Sequence, residues 1–185
     1  DKIASKFTSE YINAKPFPHI VFDNFFDEKI LNNILNNFPK NLKDIGRVID
    51  HDPEKKLVNL SNSQLSQHII DLLDAANSEV FVSFLNKLSG IERYLIPDPY
   101  HWGGGTHELR NEGHLNIHAD FNKHPKMKLD RRMNVLIYLN HNWQESYGGS
   151  LELWNKKMTK CEKKIVPTFN RVVIFNTDDF SFHGN

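Results

Sequence analysis

The hydrophobic pattern of this chain changes period at Gly90. Before it, apolar residues recur at three-and-four spacing: Leu65, Ile69, Leu72 and Leu73, then Val80, Phe81, Phe84, Leu85 and Leu88. That is the stripe of helices that bury one face. After it, Pro97, Pro99 and the Gly103-Gly104-Gly105 run punctuate a loop, and short alternating segments follow. Residues 113–120, 132–140, 149–154, 163–167 and 170–176 read as strands, separated by turn residues such as Tyr147-Gly148-Gly149 and Pro167-Thr168-Phe169-Asn170. Helices first and strands afterwards predict an α+β domain whose strands form a small barrel or sandwich covered by helices.

The helical part divides further. The pattern from Ser61 predicts two helices, with a break near Asn77-Ser78 and a stop at Gly90. Upstream, PHIVFDNFF (18–26) reads as a strand. Asp27 can cap the helix that follows, EKILNNILNNF, whose stripe is Ile30, Leu31, Ile34, Leu35 and Phe38 and whose end is Pro39. With no internal repeat and no low-complexity linker, residues 1–185 read as one domain: 1–112 mostly helical support with lead-in strands, 113–185 the β core.

Charge and composition narrow the partners. The formal net charge of zero gives no support for a general nucleic-acid or membrane-surface role. A single cysteine, Cys161, permits no intrachain disulfide and points to a reducing compartment, the cytoplasm. The polar N-terminus lacks the apolar centre of a signal peptide, and no run reaches the ~18 apolar residues of a membrane helix.

The chemistry concentrates in HLNIHAD (114–120). Read as a strand, it sets His114, Asn116, His118 and Asp120 on one face and Leu115, Ile117 and Ala119 on the other. His118 and Asp120, two apart, can reach one metal ion. A further histidine, His183, follows the apolar run RVVIFN in FSFHGN. Two histidines and one carboxylate form the facial triad of non-haem iron(II) oxygenases, which leaves metal positions open for a cosubstrate and dioxygen. H-x-D by itself arises often by chance, so its context decides.

Other residues have simpler readings. His114 lies four before His118, but Leu115 stands where a zinc-protease motif needs glutamate, so His114 reads as a non-ligand at the site mouth. His101 and His107 read as loop residues, and His124 and His141 as turn residues. The glycine run lacks the Gly-Lys-Ser/Thr of a phosphate loop. Trp102 and Trp154 suit packing at least as well as a substrate wall. Lys156, Lys157, Lys160, Lys163 and Lys164 suit a solvated hairpin, and Asp178-Asp179 suit a turn cap. Cys161, among charges and without a paired base, is a poor nucleophile.

The ordered set of segments is more specific than any one motif. After H-x-D come RRMNVLIYLN (131–140), then YGGSLELW, then IVPTFNRVVIFNTDDFSFHGN. This succession resembles the iron- and 2-oxoglutarate-dependent oxygenases of the prolyl hydroxylase type, as does PFPHIVFDNFF ahead of a helix. The resemblance implies a double-stranded β-helix, or jelly roll, with supporting N-terminal helices. It makes His118, Asp120 and His183 the metal ligands. It places Tyr138 against the distal carboxylate of 2-oxoglutarate and Asn134 beside the same cosubstrate. Asn116, sharing a face with His118, is a candidate to orient a ligand. The implied cofactors are Fe(II) and 2-oxoglutarate, with ascorbate as an accessory reductant; the implied partners are dioxygen and a protein, peptide or small-molecule substrate.

The implied activity is hydroxylation of a C–H bond, foremost in a prolyl residue of a protein or peptide. A free amino acid, glycan or natural product is the alternative substrate. A non-catalytic cupin-like metal-binding module and a zinc hydrolase are readings from other classes. The family's basic anchor for 2-oxoglutarate sits on a strand after the distal histidine. Here that strand and its cation are expected beyond Asn185, with Arg131 and Arg132 the nearest substitutes within the sequence.

Overall fold

A computed structural model describes residues 2–40, 56–59, 65–109 and 113–185. Its elements are α1 (Lys2–Asn13), β1 (His19–Asp23), α2 (Glu28–Asn36), β2 (Lys56–Asn59), α3 (Gln67–Ala76), α4 (Glu79–Ser89), β3 (Thr106–Leu109), β4 (Met133–Tyr138), β5 (Leu151–Trp154), β6 (Cys161–Ile165), β7 (Arg171–Asn176) and β8 (His183–Gly184).

Local chemistry explains the helix ends. Asp27 accepts hydrogen bonds from the N–H groups of Lys29 and Ile30, satisfying donors that the first turn of α2 leaves open. The α3–α4 break falls at Asn77-Ser78, where the Ser78 hydroxyl caps α4 by accepting from Phe81 N–H. Gly90 ends α4 in the left-handed conformation, φ +67°, which a residue without Cβ adopts cheaply. Residues Ser61–Gln64, the expected start of α3, lie outside the described residues. Phe38 falls beyond α2, which stops at the Asn37 cap before Pro39 is reached. The helix α1 was not expected. Its buried stripe is short, Ala4 and Tyr11 with Phe7 packed alongside, and the rest of the helix is polar apart from the exposed Ile3 and Ile12.

Two three-stranded antiparallel sheets carry the β half, in the orders β1-β7-β4 and β6-β5-β8; β2 and β3 form a separate ribbon. Central β7 is buried on both faces, which accounts for its unbroken apolar run: Val172, Val173, Ile174 and Phe175 are all inaccessible to solvent. Alternation divides those residues between two cores. Val172 and Ile174 join Ala4, Tyr11, Ile20, Leu85 and Leu88 under the helices. Val173 and Phe175 turn to the second sheet and pack with Phe17, Leu151, Leu153 and Ile165. The same alternation on β5 turns Leu151 and Leu153 inward and leaves Glu152 outside, paired with Lys164 at 2.7 Å.

Four strand expectations need correction, in three ways. The strand expected over 163–167 is formed two residues earlier, at Cys161–Ile165, where Cys161 pairs with Trp154 and Ile165 with Leu151 across the hairpin. Those over 132–140 and 149–154 are trimmed to Met133–Tyr138 and Leu151–Trp154. The third correction is the largest. Residues 113–120 do not form a continuous strand; they touch β8 through one antiparallel bridge, His118 to His183, with a second backbone pairing between Leu115 and Asn185. Two residues, Asn116 and Ile117, stand opposite Gly184 alone, so the ladder carries a bulge and strict alternation fails there. No helix among the described residues is long and apolar enough to cross a membrane.

Candidate metal centre

His118 and His183 are joined through the main chain: each N–H donates to the other's carbonyl at 2.9 Å. This bridge sets their rings side by side, with centroids 4.6 Å apart. Each imidazole is also held by a carbonyl two residues earlier. His118 Nδ1 lies 2.8 Å from the Asn116 oxygen, and His183 Nδ1 lies 2.9 Å from the Ser181 oxygen. A carbonyl can only accept, so Nδ1 carries the proton in both rings and a neutral ring keeps its lone pair on Nε2.

Both Nε2 atoms point toward Asp120. Oδ1 lies 3.5 Å from His118 Nε2, and Oδ2 lies 3.8 Å from His183 Nε2. One donor atom from each of the three residues falls within 4.8 Å of the others, the spacing of groups that can share one ion. Among the described residues no other group of three His, Cys, Asp or Glu side chains meets that test.

The carboxylate is held from behind. Asn134 Nδ2 donates to Oδ2 at 2.7 Å, and Arg131 Nη1 stands 3.2 Å from the same oxygen, an ion pair poorly aligned for a hydrogen bond. Burial alone would raise the Asp120 pKa. The adjacent His118, with the Arg131 guanidinium and His183, outweighs it and holds the carboxyl well below the ordinary range. Burial pushes His183 the other way for a base, below its ordinary value, with Asp120 opposing. Together these keep an anionic oxygen beside a neutral imidazole, the protonation states that metal ligation requires. Two imidazole nitrogens and a carboxylate are also the donor set that suits iron(II) with open positions.

The packing behind His183 is apolar. Phe175 meets its ring edge-on at 4.8 Å, and Leu153 is its strand partner on β5. Tyr138 lies on β4, on the face of Asn134 and Leu136, within the core between the sheets, and burial raises its pKa. His19, on the inner face of β1, occupies the strand row of Phe175 and Asn134. Its Nδ1 is held on the Phe17 carbonyl at 2.8 Å, the arrangement seen in both site histidines.

Several singled-out residues take other places. The main-chain carbonyl of Asn116 serves His118, because the bulge breaks the alternation that would align the two side chains. Asn134 directs its amide to Asp120. Arg131 faces Asp120, with its guanidinium over the Phe121 ring at 4.6 Å. His114 is outside the triad. His101 pairs with Asp74, His124 with Asp98, and His141 stacks on Phe169 at 3.7 Å. The contacts of Ser181 and Phe175 with His183, and of Asn134 with Asp120, were not foreseen from the residues. A signal existed for one: a residue two before each histidine can offer its carbonyl to Nδ1.

Residues 104–185 match the 2OG-Fe(II) oxygenase superfamily. Members of that superfamily use Fe(II) and 2-oxoglutarate, and the His118–Asp120–His183 group, which lies within the matched residues, fits such an ion. The chain is similar in fold to a Pseudomonas putida prolyl-4-hydroxylase, with TM-score 0.64, 12% identity, and coverage of 98% of this chain and 90% of that one. It is likewise similar to a prolyl hydroxylase from Trichoplax adhaerens, solved in complex with a hypoxia inducible factor oxygen degradation domain peptide fragment. There the TM-score is 0.61 at 16% identity, covering 99% of this chain and 82% of that one. Among curated proteins no sequence match is found.

Proposed function

We propose that this protein is an Fe(II)- and 2-oxoglutarate-dependent dioxygenase that hydroxylates a C–H bond, with a prolyl residue of a protein or peptide as its substrate. The observation that carries the reading is the convergence of His118, Asp120 and His183 within 4.8 Å. In this reading those three side chains hold the iron. The two facing sheets are then the halves of a double-stranded β-helix in a single domain, with the triad at one mouth. Tyr138 is assigned to the cosubstrate carboxylate. The prolyl substrate rests on the fold of the two hydroxylases, and the peptide form on the Trichoplax complex. The compartment we assign is the cytoplasm, on the single cysteine.

Iron(II) and 2-oxoglutarate, when bound, supply the oxidative decarboxylation that drives hydroxylation. The chain's own residues prepare the site. Carbonyls of Asn116 and Ser181 fix both rings with Nε2 forward, so little ring reorganisation accompanies loading. Asn134 and Arg131 occupy the Oδ2 side of Asp120 and stabilise its anion. Phe175 and Leu153 give His183 an apolar, buried backing.

The test is purified protein with Fe(II), 2-oxoglutarate and ascorbate, offered proline-containing peptides. Succinate release coupled to a gain of one oxygen on the peptide is expected. Iron binding without decarboxylation would favour a binding module, and activity with zinc but not iron a hydrolase; either result sinks the dioxygenase reading. Oxygen gain only on a free amino acid, glycan or other small molecule would retain the chemistry and replace the substrate.

A further inference from the structure

The two stretches that carry the histidines meet at a place where one of them has no side chain. Leu115 and Asn185 exchange backbone hydrogen bonds, at 3.4 Å from Leu115 N–H and 3.1 Å from Asn185 N–H. His118 and His183 exchange theirs at 2.9 Å in both directions. Between these two ties the bulge presses on Gly184. A Cβ placed on Gly184 would lie 2.5 Å from the Leu115 carbonyl oxygen, 2.8 Å from Ile117 Cδ1 and 3.2 Å from the Asn116 carbonyl carbon.

The backbone of Gly184 is not in the left-handed region, so no turn requires glycine there. Only the approach does. Of the three atoms met, two are main chain and cannot rotate away. Restoring an ordinary contact of roughly 3.5 Å would need a separation about 1 Å greater. Metal–ligand distances tolerate only about 0.2 Å. His118 follows the bulge by one residue and His183 precedes Gly184 by one, so a separation here passes into the spacing of the two Nε2 atoms. It would also shift the Asn116 carbonyl that holds His118 Nδ1.

We propose that Gly184 is a positioning residue of the metal centre: by lacking a side chain it lets the β8 strand close on the 115–118 bulge, and this closure sets the spacing of His118 and His183. The inference rests on the assignment of those histidines as iron ligands. It concerns geometry, and it is separable from a role in folding.

The experiment is Mn(II) titration of the full chain by electron paramagnetic resonance, alongside urea unfolding of the metal-free protein. Gly184→Ala is expected to weaken Mn(II) binding about tenfold or more. The control is Gly148→Ala, at a positive-φ glycine whose added Cβ would meet no atom within 4 Å. It should lower stability through backbone strain and leave Mn(II) affinity within about twofold. Equal affinity in Gly184→Ala and wild type overturns the proposal, as does a loss of affinity in Gly148→Ala matching its loss of stability. Should Gly184→Ala fail to fold, Asn185→Pro decides, because it removes the N–H that ties β8 to Leu115 and sets the ring Cδ where that hydrogen pointed, so the same closure is opened from the neighbouring residue. Weakened Mn(II) binding there supports the proposal and unchanged binding overturns it. Wild-type protein that binds no Mn(II), or His183→Ala that binds it equally well, overturns the ligand assignment itself and the inference with it.

Discussion

Asn134 donates its side-chain amide to Oδ2 of Asp120 at 2.7 Å, reaching from β4 to a residue fourteen positions earlier in the chain. Groups that hold a ligating carboxylate typically alter metal affinity by about 10–100-fold when removed. Asn134→Ala should therefore weaken Mn(II) or Fe(II) binding by about that factor. It should lower stability by about 1–3 kcal/mol, the cost of leaving a partly buried acceptor short of a donor. Metal titration and urea unfolding read the two effects; affinity within twofold of wild type would count against a role for Asn134 at the carboxylate.

The three donors should behave as one site and His114 should not belong to it. His118→Ala, Asp120→Ala and His183→Ala are each expected to lower metal affinity by about two orders of magnitude or more, since removing one ligand leaves an incomplete facial set. His114→Ala should change it less than about threefold. A chelator should abolish succinate release, and added Fe(II) should restore it. Tight metal binding in all three triad variants would contradict the assignment.

Protons should compete with folding through the buried imidazoles. Burial lowers the pKa of both His19 and His183 below their ordinary 6.5. The unfolded chain then binds more protons than the folded one in the window between each lowered value and 6.5, so metal-free stability rises as pH rises through that window and is fully present above it. Asp120, held low, titrates beneath this range. Urea midpoints measured in chelator from about pH 5 to about pH 7.5 should increase. The increase should shrink in His19→Gln with His183→Gln; an identical slope in that double variant would refute the attribution.

Phe175 links the core to the site, whereas Val172, three residues earlier on β7, faces the helices. Phe175→Ala should cost about 3–5 kcal/mol, and Val172→Ala about 2 kcal/mol, from lost burial and the cavity left behind. Only the first should also weaken metal binding, because Phe175 meets the His183 ring at 4.8 Å. Parallel loss of affinity in both variants would show that general softening, and not this contact, governs the site.

Local features were legible from the residues. The Asp27 cap, the Asn77-Ser78 break and the Gly90 stop are written in neighbours within one helical turn of each other. The apolar run of β7 was visible as a strand because burial on both faces leaves no polar position. His118, Asp120 and His183 stood out by residue type and by the order of the segments around them. The helix α1 did not stand out, because Ala4, Phe7 and Tyr11 are too few to dominate a polar stretch.

Residue order alone set which side chains are present to bind an ion, and where helices start and stop. How those side chains meet was settled by packing between remote segments. The 115–118 bulge exists because that segment pairs with residues 183–185, and a one-residue slip in such pairing redirects side chains between faces. The grip of Asn134 and Arg131 on Asp120, and the closeness that Gly184 allows, likewise depend on contacts between remote segments. Capping acts between adjacent residues and can be read in order along the chain; convergence depends on register between distant strands, which no short stretch of residues encodes.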